Sequence, residues 1–184
     1  MVINQDLSLY KNPTGFRGKP GWFVQIWWLI QSTLFEWSPQ FLYGWRRFLL
    51  RCFGAKIGKG VVIRPSVKMT YPWKVSIGDY SWIGDEVVLY SLGEIEIGSN
   101  VVISQRSYIC TGSHDYAKKE FPIYAKKITI EEGCWLATDV FVAPGVLIEK
   151  GTVVGARSSV FKDLKAFSVY AGSPAKLLKK RNIE

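Results

Sequence analysis

His114 is the only histidine among the 184 residues, and it stands in the segment CTGSHDY, directly before a polar and irregular stretch. An imidazole can accept a proton from a hydroxyl group near neutral pH, which makes a lone histidine a candidate general base. Asp115 follows it in the chain and could orient the ring. A histidine at the base of a loop can equally be structural or solvated. The residue types by themselves therefore leave general base catalysis and a structural role both open.

The three cysteines offer a second kind of chemistry. Cys110 lies four residues before His114, and a thiolate there could act as a nucleophile. It follows Ile109 at a position expected to lie beside the core, where a thiolate is disfavoured. Cys52, Cys110 and Cys134 show neither a CxxC pair nor a disulfide-like spacing, so we expect reduced thiols. A single histidine without a Cys/His cluster cannot build a multi-histidine metal site, so we expect no metal.

The elements that would position these residues repeat every six residues. Between residues 128 and 160 an aliphatic residue recurs at every sixth position, and a smaller residue follows four positions later. The aliphatic positions are Ile130, Leu136, Val142, Ile148, Val154 and Val160, and the smaller ones are Cys134, Val140, Val146, Thr152 and Ser158. This period fits neither a strand nor a helix and is typical of a β-solenoid built from hexapeptides. A β-sandwich with chance spacing is the alternative.

The same period begins earlier in the chain. Ile57, Ile77 and Ile97, each followed by glycine, open three segments at a spacing of twenty, and thirty-three residues separate Ile97 from Ile130. Two extra residues therefore fall at the same corner of each early coil, and an insertion of about thirteen residues, 115–127, leaves the third coil. We predict a mainly β protein with a parallel β-helix of about five coils over residues 55–164. Loops carried by a rigid scaffold are where sites are expected.

Residues 1–54 precede the repeats and form a separate segment. After a polar, Gly/Pro-rich start, residues 22–37 carry four of the eight tryptophans but are too short for a membrane-spanning helix. Residues 41–53 predict a second amphipathic helix with arginines on its polar side. Aromatic residues opposite arginines suit a helix lying in a membrane interface, which predicts peripheral membrane contact through residues 22–53. Capping the open end of the solenoid, or packing between subunits, is the alternative.

The net charge of +9 belongs to the two ends of the chain. Residues 1–56 hold seven Lys/Arg against two Asp/Glu, residues 57–161 hold eleven against eleven, and residues 162–184 hold six against two. A neutral repeat body with basic ends argues against a nucleic-acid partner and for local contacts with phosphates or acidic lipids. The tail, residues 165–184, is predicted to contain a short helix.

Several of these motifs together resemble a known enzyme family. The hexapeptide repeats, the histidine before a protruding loop, WLATDVFVAPGVLI, VVGARSSVFKDL and the tail VYAGSPAKLL occur in the order found in left-handed β-helix, acyl-CoA-dependent acetyltransferases, from residue 57 to residue 180. Residues 15–73, from GFRGKPG to YPW, further resemble the acetyltransferases of colanic acid and related exopolysaccharide biosynthesis. The resemblance implies a left-handed β-helix and an O-acetyltransferase that uses acetyl-CoA as a co-substrate, with no permanently bound cofactor.

The resemblance also implies roles for individual residues. His114 would be the general base for direct transfer in a ternary complex, with Asp115 beside it. The residues matching the family's cofactor contacts are Trp135, Thr138, Ala143, Ala156, Lys162, Lys176 and Lys179. The alanines could instead be small because the solenoid needs small residues, and the lysines could belong to a solvated tail. Relatives often have threonine where this chain has Phe161, and arginine where it has Lys176, so the phosphate contacts differ from the family pattern.

The partners follow from the same resemblance. It implies a homotrimer with active sites between neighbouring subunits, and a sugar or lipid-linked oligosaccharide as the acceptor. We expect the protein in the cytoplasm, peripheral on the inner face of the cytoplasmic membrane. Two alternatives from the sequence stay open, namely a non-catalytic hexapeptide scaffold and an acetyltransferase for another small acceptor.

Overall fold

Three parallel β-sheets form the body of the protein. The structure is a computed structural model that describes residues 5–182; the first four and last two residues, which fall in the predicted N-terminal segment and tail, lie outside this range. Outside the insertion and the C-terminal tail, strands follow one another around three sheets in rotation, so strands in the body pair with strands one coil before and after them. This arrangement confirms a mainly β protein of stacked parallel coils. The handedness of the helix stays a prediction.

The strands are short, because each hexapeptide supplies only one strand and one bend. Sheet one contains β1 (Lys56–Ile57), β4 (Val75–Ile77), β7 (Ile95–Ile97), β12 (Ile128–Ile130) and β15 (Leu147–Ile148). Sheet two contains β2 (Val62–Ile63), β5 (Trp82–Ile83), β8 (Val102–Ile103), β13 (Trp135–Leu136), β16 (Val153–Val154), β18 (Ser168–Ala171) and β19 (Lys176–Lys180). Sheet three contains β3 (Lys68–Met69), β6 (Val88–Tyr90), β9 (Tyr108–Cys110), β14 (Phe141–Val142) and β17 (Ser159–Val160).

The register confirms the spacing predicted from the repeats. Ile57 lies beside Ile77, Ile77 beside Ile97, Ile97 beside Ile130, and Ile130 beside Ile148. These isoleucines are buried in one column of the core. Glycine follows the first three of them because the next coil passes very close: a Cβ atom added to Gly78 would lie 2.5 Å from the Ser99 backbone nitrogen.

The insertion after the third coil contains an antiparallel hairpin. β10 (Gly112–His114) pairs with β11 (Ile123–Ala125), and Lys126 then donates its backbone N–H to the Thr111 carbonyl over 2.8 Å. The loop expected at residues 115–127 therefore leaves and rejoins the corner between sheets three and one through paired strands.

Two helices cover the open end of the first coil. α1 (Gly21–Ile30) continues into a π-helical turn (Gln31–Phe35), and α2 (Tyr43–Cys52) follows, which confirms the two predicted N-terminal helices. We call residues 21–52 the cap. Its inner side packs into the main core through residues that are at most 1% exposed: Trp27, Phe35 and Leu50. Among residues 5–182 no helix is both long and apolar enough to cross a membrane.

The arginines of α2 point at the solenoid and bond to its backbone. Arg46 is fully buried and donates from Nε to the Ile63 carbonyl over 2.7 Å, and Arg47 donates to the Val61 carbonyl over 2.8 Å. Arg51 donates to the Ile57 carbonyl over 2.7 Å. The first coil has no coil before it to supply donors, so these guanidinium groups satisfy its unpaired acceptors. The polar side of α2 thus meets the solenoid edge, as the capping alternative requires.

The predicted tail helix is wrong, because the tail forms a strand. β19 pairs antiparallel with β18, with Val169 opposite Lys179 and Ala171 opposite Lys176. β18 is the last parallel strand of sheet two, and its outer edge would otherwise leave backbone groups unpaired. Pairing with this edge stabilises an extended tail over a helix. Sheet two consequently continues past residue 164, where we expected the β-helix to end.

Candidate active site

His114 is the last residue of β10 and lies where the chain leaves the corner between sheets three and one. Its side chain is half-buried, and its backbone lies opposite Ile123 in the hairpin. The hairpin is anchored on the solenoid at both ends, so the histidine sits at the base of the loop on a fixed scaffold. This is the position that the repeat spacing predicts.

A backbone carbonyl fixes the ring of His114. Nδ1 lies 2.9 Å from the carbonyl oxygen of Phe121, and a carbonyl can only accept, so Nδ1 carries the proton. Phe121 has a left-handed backbone with φ of 48°, which turns its carbonyl toward the imidazole. In the neutral ring, Nε2 is then the unprotonated nitrogen. His114 therefore has one nitrogen available to accept a proton from a substrate.

Two aromatic rings lie close to this histidine. The Phe121 ring stacks on the imidazole with centroids 4.3 Å apart and an interplanar angle of 10°. Tyr10 comes from the N-terminal segment, and its ring centroid lies 6.2 Å away. The N-terminal segment reaches this loop because the backbone N–H of Asp6 donates to the Lys119 carbonyl over 2.9 Å. The sequence did not single out Phe121 or Tyr10, and neither stands in a motif that would have identified it.

Asp115 contacts the loop backbone and a lysine. Its carboxylate accepts from the Ala117 N–H over 3.2 Å and lies 3.5 Å from Lys118 Nζ. The backbone N–H of Asp115 donates to the Pro122 carbonyl over 3.0 Å, which helps to close the hairpin. Orientation of the ring, which the sequence suggested for Asp115, belongs in this structure to the Phe121 carbonyl.

The two cysteines of the solenoid are poorly placed as nucleophiles. Burial raises the pKa of the Cys110 thiol, which lies 3.2 Å from the Gly112 carbonyl and can donate to it. Burial raises the pKa of Cys134 to about 11. Neither thiol has a cationic neighbour that would stabilise a thiolate strongly enough to offset burial. Cys52, Cys110 and Cys134 are all free thiols.

Sheet two carries most of the predicted cofactor contacts. Trp135 is 47% exposed on β13, and its indole Nε1 donates to the Ser104 hydroxyl over 3.0 Å. Thr138 lies in the following corner, where its hydroxyl donates to the Gln105 carbonyl over 3.0 Å. The next coil stacks above it, because the Arg157 N–H donates to the Thr138 carbonyl over 2.9 Å.

The remaining predicted contacts are spread over the C-terminal coils. Ala156 is exposed beside Arg157, and Lys176 and Lys179 are exposed on β19 at the edge of sheet two. Ala143 is buried directly after β14, and Lys162 is exposed two residues after β17, so both follow strands of sheet three. The structure therefore brings Trp135, Thr138, Ala156 and the two tail lysines to sheet two and its rim, and separates Ala143 and Lys162 from them.

His114 and Trp135 lie on opposite sides of one chain. His114 stands at the corner joining sheets three and one, and in a three-sided prism that corner faces away from sheet two, which carries Trp135. The outer sides of the sheets also differ. The outward side chains of sheets two and three include exposed Trp82 and half-buried Val102, Tyr108 and Phe141, whereas those of sheet one include exposed Lys56 and half-buried Ser76, Glu96 and Thr129.

An open groove of about 410 Å³ lies on the outer side of sheet two. Trp82, 57% exposed, lies in it together with Arg64, Asp85, Ser104 and Gln105. An aromatic face beside hydrogen-bonding side chains suits a polar organic ligand. Among residues 5–182 no group of three or more His, Cys, Asp or Glu side chains is placed to hold a metal ion.

Comparison with known proteins gives a consistent result. The chain is 65% identical over 177 residues to the protein named as colanic acid biosynthesis acetyltransferase WcaF of Escherichia coli K12, covering 96% of this chain and 97% of that protein. It is 32% identical over 138 residues to galactoside O-acetyltransferase of Lactococcus lactis, covering 73% of this chain and 67% of the relative. No family model matches the chain.

Solved structures share the same fold. The hexapeptide-repeat acetyltransferase VCA0836 of Vibrio cholerae, complexed with acetyl coenzyme A, superposes with a TM-score of 0.77 at 25% identity, covering 92% of this chain and 88% of that chain. A maltose O-acetyltransferase of Clostridium difficile superposes with a TM-score of 0.80 at 24% identity, covering 89% and 90%. Near-complete coverage at 65% identity shows that this chain and its E. coli relative belong to one family. The chain belongs to the hexapeptide-repeat acetyltransferases, in the colanic acid biosynthesis branch.

Proposed function

We propose that this acetyltransferase moves an acetyl group from acetyl-CoA to a sugar hydroxyl of an exopolysaccharide precursor, with His114 as the general base. The observation that carries the proposal is the hydrogen bond of 2.9 Å between Nδ1 and the Phe121 carbonyl, which leaves Nε2 as a proton acceptor. The names of the relatives support the donor and the acceptor class: one solved neighbour holds acetyl coenzyme A, and other relatives are galactoside and maltose O-acetyltransferases.

The transfer requires one proton acceptor and no covalent enzyme intermediate. Nε2 of His114 takes the proton of the acceptor hydroxyl while the hydroxyl oxygen attacks the thioester carbonyl. The C–S bond then breaks, and the CoA sulfur leaves and takes up the proton. A positioned base contributes roughly 100- to 10,000-fold to such a step, and holding both substrates together supplies much of the remainder. The thiol of Cys110 is half-buried and its pKa is raised by burial, which favours this direct route over an acyl-enzyme.

The donor is assigned to sheet two. Trp135 offers an exposed indole face to the pantetheine arm, and Thr138 and Ala156 border the same rim. Lys176 and Lys179 would contact the CoA phosphates as point charges, with Lys162 and Ala143 further around the solenoid. Asp115 supports the loop that holds His114, through the Ala117 N–H.

A homotrimer is needed to bring these parts together. His114 and Trp135 of one chain face opposite directions, so a shared site requires the His114 corner of one subunit beside sheet two of the next. The apolar outer sides of sheets two and three suit burial between subunits, and the polar outer side of sheet one suits solvent. Three prisms around a three-fold axis would bury both apolar sides and form three such sites.

The cytoplasm is the expected location of the enzyme. Three free cysteines suit a reducing compartment, which is also where acetyl-CoA would be used. A sugar that is still attached to a lipid carrier would place the acceptor at the inner face of the cytoplasmic membrane.

Calorimetric titration with acetyl-CoA tests the donor site without knowledge of the acceptor. We expect wild type and His114→Asn to bind equally, within about twofold, because the base does not hold the donor. Trp135→Ala should bind about tenfold more weakly, since an aromatic contact contributes about 1.4 kcal/mol. Acetyl transfer to galactoside or glucoside acceptors should then fall at least 100-fold in His114→Asn.

Each outcome separates the enzyme from a scaffold. Binding together with transfer that requires His114 supports the proposal. Binding with equal transfer by wild type and His114→Asn would refute the role of the histidine. Absence of acetyl-CoA binding to folded wild-type protein would favour the non-catalytic scaffold.

A further inference from the structure

The cap has a second, outward side that the solenoid leaves uncovered. Its inner residues fill the core, but large apolar side chains along both helices and their connection face solvent. Their exposures are Trp22 66%, Ile26 44%, Leu29 63%, Leu34 51%, Trp37 84%, Phe41 75%, Trp45 37% and Phe48 55%. We call these eight residues the outer cap face. Soluble domains rarely leave so many large apolar residues exposed together without a binding role.

We infer that the outer cap face docks on the surface of a lipid bilayer containing anionic lipids. Three of its eight members are tryptophan, the side chain most typical of the boundary between hydrocarbon and headgroups, and the other five are aliphatic or phenylalanine. The helices run across the solenoid end without spanning length, which suits burial in an interface. This inference concerns where the enzyme sits and does not depend on the acetyl-transfer chemistry.

The charges around the outer cap face are complementary to acidic lipids. Arg17, Lys19 and Lys56 flank the cap and are exposed, and the Lys19 ammonium lies 5.7 Å from the Phe23 ring centroid at the start of α1. Glu36 is the only acidic residue between positions 7 and 54, and it pairs with Lys68. Each basic residue near an anionic surface contributes about 1 kcal/mol of attraction.

The arginines of α2 do not provide this charge. Arg46 and Arg47 bond to carbonyls of the first coil, so the flanking lysines and Arg17 must supply it. The contact surface is therefore the side of the cap opposite to these arginines. A simple amphipathic helix would instead turn its arginines toward the lipid headgroups.

The position of the face also favours a flat surface as its occupant. It lies at one end of the solenoid, so prisms standing side by side would leave it free and direct three copies the same way. His114 follows β9 in the third coil, and two strand spacings place that coil about 10 Å above the first coil. The thickness of the α2 helix adds about 10 Å to this distance. The site would stand roughly 20 Å from the bilayer, within reach of a sugar chain carried on a lipid.

Co-sedimentation of the full-length protein with vesicles tests this assignment. Vesicles of phosphatidylcholine alone would be compared with vesicles that also contain about 30% phosphatidylglycerol, an anionic lipid. The variant Trp22→Ser/Trp37→Ser/Phe41→Ser removes three highly exposed anchors that do not belong to the core. The control Tyr80→Ser/Tyr116→Ser removes two aromatic residues outside the cap, which are 52% and 88% exposed.

We expect wild type and the control to bind the mixed vesicles, and the triple variant to bind at least tenfold more weakly with an unchanged melting temperature. Lys19→Glu should weaken binding to mixed vesicles and leave binding to neutral vesicles unchanged. Equal binding by wild type and the triple variant, or no binding by wild type, would overturn the inference. Larger assemblies of wild type that the triple variant loses, without vesicle binding, would instead assign the face to contact between copies. Acetyl-CoA titration of the same variants shows separately whether the donor site is intact.

Discussion

Replacing Arg46 should destabilise the protein far more than replacing its neighbour Arg47. Arg46 is fully buried and donates to the Ile63 carbonyl over 2.7 Å, the Ser38 hydroxyl over 2.8 Å and the Pro39 carbonyl over 2.9 Å. A fourth bond of 2.5 Å reaches the Gln40 carbonyl. Arg46→Met keeps a long apolar side chain but leaves these acceptors without their donor. The substitution therefore isolates the hydrogen bonds that join the cap to the first coil.

The magnitude follows from the burial of each bond. The Ile63 acceptor is buried and should cost about 2 to 3 kcal/mol when unsatisfied, whereas each of the three part-buried acceptors can recruit water and should cost about 0.5 kcal/mol. Removing the buried charge returns about 1 kcal/mol, because burial disfavours the charged form and lowers the Arg46 pKa. The expected net loss is about 3 kcal/mol. Arg47→Met breaks one part-buried bond of 2.8 Å and should cost about 0.5 kcal/mol.

Urea unfolding at one fixed protein concentration, followed by tryptophan fluorescence and circular dichroism, measures this difference. With a slope of about 2 kcal/mol/M, the midpoint should fall by about 1.5 M for Arg46→Met and by about 0.25 M for Arg47→Met. If Arg46→Met does not fold, Arg46→Lys keeps the charge without the planar fork and should lie between the two. Equal midpoints for the Arg46 and Arg47 variants would refute the capping role of the buried guanidinium.

Three further predictions concern the histidine and the cysteines. Glycine at position 121 adopts the φ of 48° easily and keeps the carbonyl in place. In Phe121→Gly the rate of CoA release with a sugar acceptor should therefore fall only about three- to tenfold, because only the ring stack on His114 is lost. Phe121→Pro cannot adopt that φ and should cost about 100-fold, since His114 loses the bond that fixes its tautomer; equal losses would contradict this role for the carbonyl. Thiol labelling at pH 8 should modify Cys52 fastest, because Cys52 is exposed and burial raises the pKa of Cys110. Burial raises the pKa of Cys134 to about 11, so only about 0.1% of Cys134 is thiolate at this pH. Cys110→Ala should retain at least half of the transfer rate, and a loss above tenfold would favour a thiol nucleophile.

Much of the fold can be predicted from the sequence because the hexapeptide period is a local property. One inward position in every six takes a large apolar side chain, so spacings of twenty and thirty-three residues translate directly into the observed neighbours, Ile77 beside Ile97 and Ile97 beside Ile130. The same arithmetic placed His114 at the base of an insertion, and the structure has it there. The two N-terminal helices could likewise be predicted from the aromatic composition and amphipathic pattern of residues 22–53.

The partners of polar and edge groups could not be predicted in this way. An amphipathic pattern shows that the arginines share one side of α2. It does not show whether they contact water, lipid headgroups or the unpaired carbonyls of a solenoid edge. The tail KLLKK has ordinary helix propensity, yet an available edge on β18 made it a strand. Phe121 holds the ring of His114 from seven positions away, through a left-handed backbone conformation that its residue type does not suggest.

The sequence alone thus determined the stacked coils, the insertion and the candidate base, because strand period and side-chain size act along the chain. Only the tertiary structure decided the tautomer of His114, the inward direction of the Arg46 side chain and the separation of His114 from Trp135 around the prism. These depend on which backbone groups lack partners and on which side of a closed coil each residue emerges, and both are set when the coils stack.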